Sequence, residues 1–156
     1  AVAALLNAGK ITAKGKLKLA ESGDFFFEQS PVYLSQKDIR QVQLAKAAIR
    51  AGMDTLIHTA GLTYADIDTI ILCGGFGSYL RPASAESIGL IPPGFAQKAI
   101  AIGNAAGNGA AQILQSAHRQ QEAERLVQRM ETVELASSPY FHDKYIAQMM
   151  FPVPAE

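Results

Sequence analysis

The residues best suited to meet a ligand form a glycine-rich run directly after an apolar segment. Thr69–Cys73 reads as a strand covered on both faces, and Gly74, Gly75, Phe76, Gly77 and Ser78 interrupt it. Glycine adopts positive φ and allows close approach, and ligands of open α/β sheets bind beyond the carboxyl ends of strands. Spacing alone leaves two interpretations equally open: one wall of a nucleotide site, or a tight structural turn.

The familiar phosphate-binding fingerprints do not fit this run. A dinucleotide fingerprint needs a third small residue where Leu80 stands, and a P-loop needs a Gly-Lys-Ser/Thr sequence that the chain lacks. These two templates therefore do not decide between a ligand site and a structural turn.

A second run of small residues, Gly103–Ala111, has two interpretations. It predicts either a helix that packs closely against a neighbour or a close helix crossing that works as a hinge between two lobes. Glycine inside a helix costs about 1 kcal/mol relative to alanine, so Gly107 and Gly109 need a compensating contact under either interpretation.

Three polar residues begin the strongest predicted helix: Gln36, Lys37 and Arg40. Arginine can stack on an adenine face and lysine can reach a phosphate, which makes them candidate nucleotide contacts. The alternative is that they are ordinary solvated charges on a helix.

No residue pattern indicates catalysis or a metal site. Cys73 is the only cysteine, so the chain alone cannot form an internal disulfide or ligate an iron–sulfur cluster, and we expect Cys73 to be buried at its strand end. His58, His118 and His142 lack metal-ligand spacing, and no Ser/His/Asp set can be assembled. We predict no catalytic and no metal-binding residues.

The composition is that of a globular domain of 156 residues, with 49% hydrophobic and 18% charged residues. Lys+Arg and Asp+Glu both number 14, so no overall charge favours nucleic acid or anionic lipid as a partner. Four lysines between Lys10 and Lys18 are expected to form a solvated segment. The single cysteine and the lack of a long apolar stretch favour the cytoplasm.

Alternating strands and helices predict a layered α/β fold, a sheet flanked by helices. A helix ends near residue 8, two β-prone runs (25–27 and 32–34) suggest a hairpin, and Ser35 with Asp38 predicts a capping box that starts a helix ending at Gly61. One apolar stripe and one polar, basic face are expected on that helix. The stripe comprises Ile39, Val42, Ala45, Ile49, Met53, Leu56 and Ala60, and the polar face comprises Lys37, Arg40, Gln43, Ala47, Arg50 and Asp54.

Further elements follow from the same patterns. Beyond a short turn of helix at 64–67, they are strands at 69–73, 99–102 and 131–136 and helices from Pro82 to about 89, 105–118, 122–130 and 140–149.

Three segments in this order resemble a known family. Ser35–Gly52, Leu72–Leu80 and Gly103–Ala110 are similar to signature segments of the carboxyl-terminal ATPase domain of reductive activators of corrinoid proteins. That domain belongs to the superfamily of acetate and sugar kinases, heat-shock chaperones and actin. The resemblance implies an actin-like, ribonuclease-H-like α/β lobe, and we expect 1–156 to be its second lobe, with an incoming helix end and hairpin at 1–34 and the main core at 35–156.

The resemblance also implies a function. Relatives of this kind use ATP to drive an electron from an iron–sulfur cluster to a Co(II) corrinoid, which restores Co(I). It implies that Gly74, Gly75, Phe76, Gly77 and Ser78 border the adenosine. By looser analogy Gln36, Lys37 and Arg40 flank the base, and Gly107 and Ala110 belong to an interlobe helix.

The chain opens without a methionine on an apparent helix end, and we expect it to be part of a longer protein. The phosphate loops, the Mg²⁺ ligands and the iron–sulfur domain are expected upstream, so the chain alone is expected to be inactive. A corrinoid protein and a nucleotide are the implied partners, with a homodimer left open. Two alternatives remain: a docking module that binds the corrinoid protein through the helices of 105–130, and a lobe of a small-molecule kinase.

Overall fold

The computed structural model describes residues 1–18 and 24–153. The elements run in the order helix, hairpin, long helix, and then alternating strands and helices. Their bounds are α1 Val2–Asn7, β1 Phe25–Phe26, β2 Tyr33–Leu34, α2 Gln36–Thr59, a 3₁₀ helix Tyr64–Asp66, β3 Ile70–Cys73, α3 Gly74–Tyr79, α4 Pro82–Ser87, β4 Ala99–Gly103, α5 Ala105–Gln115, α6 Ala117–Val127 and α7 Pro139–Ala147.

One apolar core joins the two ends of the chain to its middle. Helix α1, the start of α2, helix α4 and the segment that follows α4 all contribute to it. Because Phe151 is buried in the same core, the carboxyl-terminal segment is also part of it. The buried members are Ala3, Leu5, Leu6, Ile11, Leu17, Ile39, Ala85, Ile88, Leu90, Ile91, Phe95 and Phe151.

The capping box that opens α2 is confirmed. Ser35 Oγ accepts a hydrogen bond from the Asp38 N–H at 3.2 Å, and the Asp38 carboxylate accepts from the Ser35 N–H at 2.8 Å. The Ser35 hydroxyl also donates to the Asp38 carboxylate at 2.6 Å, and this bond, together with the one from the Ser35 N–H, holds the pKa of Asp38 below its usual value. The predicted hairpin is also confirmed, because β1 and β2 pair antiparallel with Phe25 opposite Leu34.

Ile39, Val42 and Ile49 of the apolar stripe expected on α2 pack in the core, but the expected division into an apolar and a polar face is wrong at other positions. Gln43, Ala47 and Asp54 of the predicted polar face are buried, whereas Ala45 and Leu56 of the predicted stripe are exposed. The cause is tertiary: helix α7 and the segment after it pack against the polar face of α2.

Buried polar groups of α2 hold that carboxyl-terminal segment. Gln43 Nε2 donates to the Met149 carbonyl at 2.9 Å, and Lys46 Nζ donates to the Met150 carbonyl. Lys46 is only 1% exposed, so its ammonium group depends on this carbonyl for compensation. Burial, reinforced by the charge of Arg50, lowers the pKa of Lys46 to about 8.

Strands β3 and β4 form a parallel pair with one exposed face. Ile70 lies opposite Ala99, and a register shift between Leu72 and Cys73 brings Cys73 opposite Gly103. Leu72 is buried, but Ile71 on β3 is exposed. Our expectation that both strands would be covered on both faces is therefore wrong for the described part of the chain.

The remaining segments differ from the sequence prediction in three places. The glycine run after β3, predicted as a turn, continues into the short helix α3. Ser116 is in extended conformation and caps α6, so the predicted 105–118 and 122–130 helices instead meet at this residue. The predicted strand 131–136 is irregular chain without a ladder partner among the described residues. Its Leu135 lies against Gly52 of α2, so a packing contact takes the place of a ladder.

The depressed pKa of Lys46 predicts how stability depends on pH. Between about pH 8 and 10.5 the unfolded chain binds more protons than the folded one, so the contribution of Lys46 to the free energy of unfolding rises with pH in that window. Below that window both states are protonated and burial of the charge costs stability. Lys46→Met keeps the apolar stem without the charge.

We expect urea unfolding to show wild type gaining stability relative to Lys46→Met as the pH rises from about 7 to about 9.5. A constant difference between the two proteins across this range would contradict the predicted titration of Lys46.

Candidate functional site

Two strand-to-helix turns lie side by side at one edge of the β3–β4 pair. Because the strands are parallel, their carboxyl ends meet at the same edge. Gly74 follows β3 with φ of +65°, and Gly103 ends β4 with φ of +60°. Positive φ is readily available to glycine, so the sequence allows both strands to turn sharply into helices at this edge.

Gly77 packs the first turn closely against the ends of both strands. A Cβ atom there would lie 2.4 Å from the Leu72 carbonyl oxygen and 2.8 Å from the Gly103 nitrogen. Helix α3 can therefore pack this closely on β3 and β4 only because position 77 has no side chain. This residue has a structural reason to be glycine.

Gly74 and Gly75 differ from Gly77, because a Cβ on either would meet no atom within 4 Å. The backbone of this turn is open to any group that approaches from solvent. The neighbouring Phe76 ring is 49% exposed and offers an aromatic surface beside the open backbone. Ser78 Oγ donates to the Gly74 carbonyl at 3.2 Å and so belongs to the turn itself.

The second turn is fixed by Asn104. Its Oδ1 accepts a hydrogen bond from the Gly107 N–H at 3.0 Å, which caps α5. A Cβ on Gly107 would lie 2.4 Å from Asn104 Nδ2, so the contact that compensates this helix glycine is the cap. Asn104 did not enter our predicted site, although an asparagine directly before a helix is a recognisable N-cap signal.

The other predicted contacts lie on α2 and bond elsewhere. Gln36 and Arg40 donate hydrogen bonds to the carbonyls of Gly15 and Lys14, and Lys37 is exposed. Within residues 1–18 and 24–153, no hydrogen bond joins these three side chains to the glycine turn. Their proposed position beside the base stays a prediction, as does an interlobe role for Gly107 and Ala110.

Cys73 is exposed at the end of β3, so the expectation that it would be buried is wrong. The register shift after Leu72 accompanies this change, because it displaces Cys73 from the regular ladder. No group of three or more His, Cys, Asp or Glu side chains in the described ranges could hold a metal ion.

A cleft of about 620 Å³ lies apart from the glycine turn, and Arg50, Glu86 and Gln148 contribute to its wall. Their polar groups already have partners: Arg50 and Gln148 bond to Asp54, and Glu86 accepts from the Ala96 N–H. The hydroxyl of Tyr64 also bonds to Asp54, and its pKa is raised to about 12, mainly by burial. This network is structural, and we place the candidate site at the glycine turn.

The turn has the geometry of one wall of a binding site. Open backbone and an exposed aromatic ring can accommodate a planar base and its ribose. Nothing in the turn supplies the acids or cations needed for phosphate and Mg²⁺. The residues present thus fit the adenosine part of ATP only.

In the described ranges, no helix combines the length and the apolar character that a membrane span requires.

Comparisons with known proteins agree on one family. Residues 1–155 match the family described as the C-terminal domain of RACo, the ASKHA domain. A corrinoid activation enzyme, RamQ, from Eubacterium limosum is 36% identical over 124 residues, which are 80% of this chain and 21% of that protein. A [Co(II) methylated amine-specific corrinoid protein] reductase from Methanosarcina barkeri is 25% identical over 122 residues, 77% of this chain and 22% of that protein.

A solved structure, that of a reductive activator for corrinoid, iron–sulfur protein, superposes with a TM-score of 0.86 at 28% sequence identity. The superposition covers 97% of this chain and 27% of that protein. The chain therefore spans about a fifth to a quarter of the length of the proteins that it matches.

Gly77 and Gly75 provide a matched pair of substitutions. Gly77→Ala should lower the free energy of unfolding by about 1–3 kcal/mol, because its Cβ would overlap the two strand ends. Gly75→Ala should change it by less than about 0.5 kcal/mol, because the space around that position is open. Urea unfolding of both variants would check this, and equal losses would contradict the packing described for Gly77.

Proposed function

The chain belongs to the family of C-terminal ASKHA domains of RACo, and from this membership we propose that it is the nucleotide-binding lobe of an ATP-dependent activator of a corrinoid protein. The actin-like fold expected from the sequence is confirmed by the same comparisons. The whole protein would use ATP to drive an electron from an iron–sulfur cluster to Co(II) corrinoid and so form Co(I). The relatives are named as activators or reductases of corrinoid proteins, which supports this proposal.

The observation that carries nucleotide binding is the open backbone at Gly74 and Gly75, at the edge where two parallel strands end. Adenine would lie against the exposed Phe76 ring, and the turn amides would meet the ribose. Both contacts need only backbone groups and an aromatic face, which the turn supplies.

The phosphates and Mg²⁺ need other residues, and we propose that the rest of the protein provides them. When bound, ATP supplies the energy of phosphoryl transfer, while this lobe binds and orients the adenosine. Half of a cleft is expected to bind nucleotide without hydrolysing it, because phosphoryl transfer depends on metal-assisted charge stabilisation.

Nucleotide affinity should respond to a bulky residue in the turn. Gly75→Leu would place a branched side chain in the open space that we assign to adenosine, and it should weaken ATP and ADP binding at least about tenfold in the full-length protein, with the unfolding midpoint preserved. Isothermal titration calorimetry measures this change directly.

Gln97→Leu is the matched control, because Gln97 is exposed just before β4, at the opposite edge of the strand pair. It should leave affinity unchanged. Unaltered affinity in Gly75→Leu would contradict the assignment of the site. A full-length protein that binds nucleotide but phosphorylates a small molecule, with no reduction of Co(II) corrinoid, would favour the kinase alternative.

A further inference from the structure

Residues 10–18 form a tight hairpin that sorts its side chains onto two faces. The Lys18 N–H donates to the Lys10 carbonyl at 2.7 Å, and an antiparallel bridge joins Ile11 to Leu17. Ile11 and Leu17 are buried in the core. Side chains alternate along paired strands, so Lys10, Lys16 and Lys18 lie on the opposite, solvent-exposed face.

The first turns of α2 hold this hairpin in place. Gln36 accepts from the Leu17 N–H at 3.0 Å and donates to the Gly15 carbonyl at 2.7 Å, while Arg40 donates to the Lys14 carbonyl at 3.1 Å. These bonds bring the hairpin lysines together with the cations of α2. We call this group the basic face: Lys10, Lys14, Lys16, Lys18, Lys37 and Arg40.

The basic face concentrates charge in a chain that has none overall. It holds six of the 14 Lys and Arg residues, which leaves eight to balance 14 acids in the rest of the sequence. Across residues 1–18 and 24–153, none of the six forms an ion pair. Asp38, the acid next to Lys37, stays ionised in the capping box and offsets part of the charge of Lys37, so the excess charge lies mainly on the hairpin lysines and Arg40. A local positive field therefore extends from this surface.

We propose that the basic face docks an acidic protein surface, that of the corrinoid protein; this inference rests on the proposed function. Electron-transfer partners meet in small, transient interfaces in which complementary charge raises the association rate. The chain as a whole carries no net charge, which favours a local contact with a protein over binding along the phosphate backbone of a nucleic acid.

Charge reversal in the hairpin tests the proposal. Lys14→Glu/Lys16→Glu changes two exposed side chains that take no part in the core or the glycine turn. Arg125→Glu/Arg129→Glu, called the α6 variant, is the matched control, with the same change of charge at one exposed position on α6 and one just after it. Thermal unfolding should be unchanged in both variants.

Association of the full-length protein is measured by biolayer interferometry. The probes are the Co(II) forms of two corrinoid proteins: the corrinoid, iron–sulfur protein and the methylated amine-specific corrinoid protein. At about 50 mM salt the hairpin variant should associate about tenfold more slowly than wild type, and the difference should shrink at about 300 mM salt. The α6 variant should stay within about twofold of wild type.

Other outcomes separate the two proposals. The docking role of the basic face is contradicted if the hairpin variant associates as fast as wild type, or if both variants associate equally slowly. The proposed function would stay intact in either case. Loss only in the α6 variant assigns docking to the 105–130 helices instead. Failure of wild type to bind either corrinoid protein contradicts the proposed function and this inference together. If wild type binds a DNA duplex more tightly than either protein, and the hairpin variant loses this binding, then the partner of the basic face is nucleic acid and not a protein.

Discussion

The structure depends on the polar groups that α2 buries along its length. Gln43 and Lys46 bond to main-chain carbonyls of the carboxyl-terminal segment, and Gln36 and Arg40 bond to the amino-terminal hairpin. Because an unpaired buried amide or ammonium group is costly, Gln43 and Lys46 require the carboxyl-terminal segment to be in place, whereas the half-buried Gln36 and the exposed Arg40 bond to the hairpin from the helix surface. One helix therefore joins the two ends of the chain and positions the basic face.

The glycine turn depends on a different constraint, the close approach of α3 to the ends of β3 and β4. Three glycines have three different reasons to be there. Gly77 lies against both strand ends, Gly74 supplies a positive φ, and Gly75 leaves open space. Of the two interpretations that spacing leaves open, the structural turn accounts for Gly77, while the open space at Gly74 and Gly75 leaves room for the proposed ligand.

Local signals in the sequence were sufficient for part of the fold. The capping box at Ser35, the hairpin of β1 and β2, and the apolar strands β3 and β4 were predictable. Their determinants lie within a few residues of each other. Burial of Gln43 and Lys46 was not predictable, because their carbonyl partners are more than 100 residues away along the chain. The prediction of a strand at 131–136 was wrong for a similar reason. Leu135 packs against a residue far away along the chain, Gly52 of α2, instead of joining a ladder.

The central claim is that adenosine binds at the shared edge of β3 and β4. The most direct measurement is a titration of the ¹⁵N-labelled chain with ADP, followed by the shifts of backbone amide resonances. The account predicts that the largest changes lie at Gly74, Gly75 and Phe76 and at the adjacent Gly103 turn, while Leu17 and Phe151 stay unmoved. Changes confined to the cleft beside Arg50 and Gln148, with the glycine resonances unaffected, would contradict it.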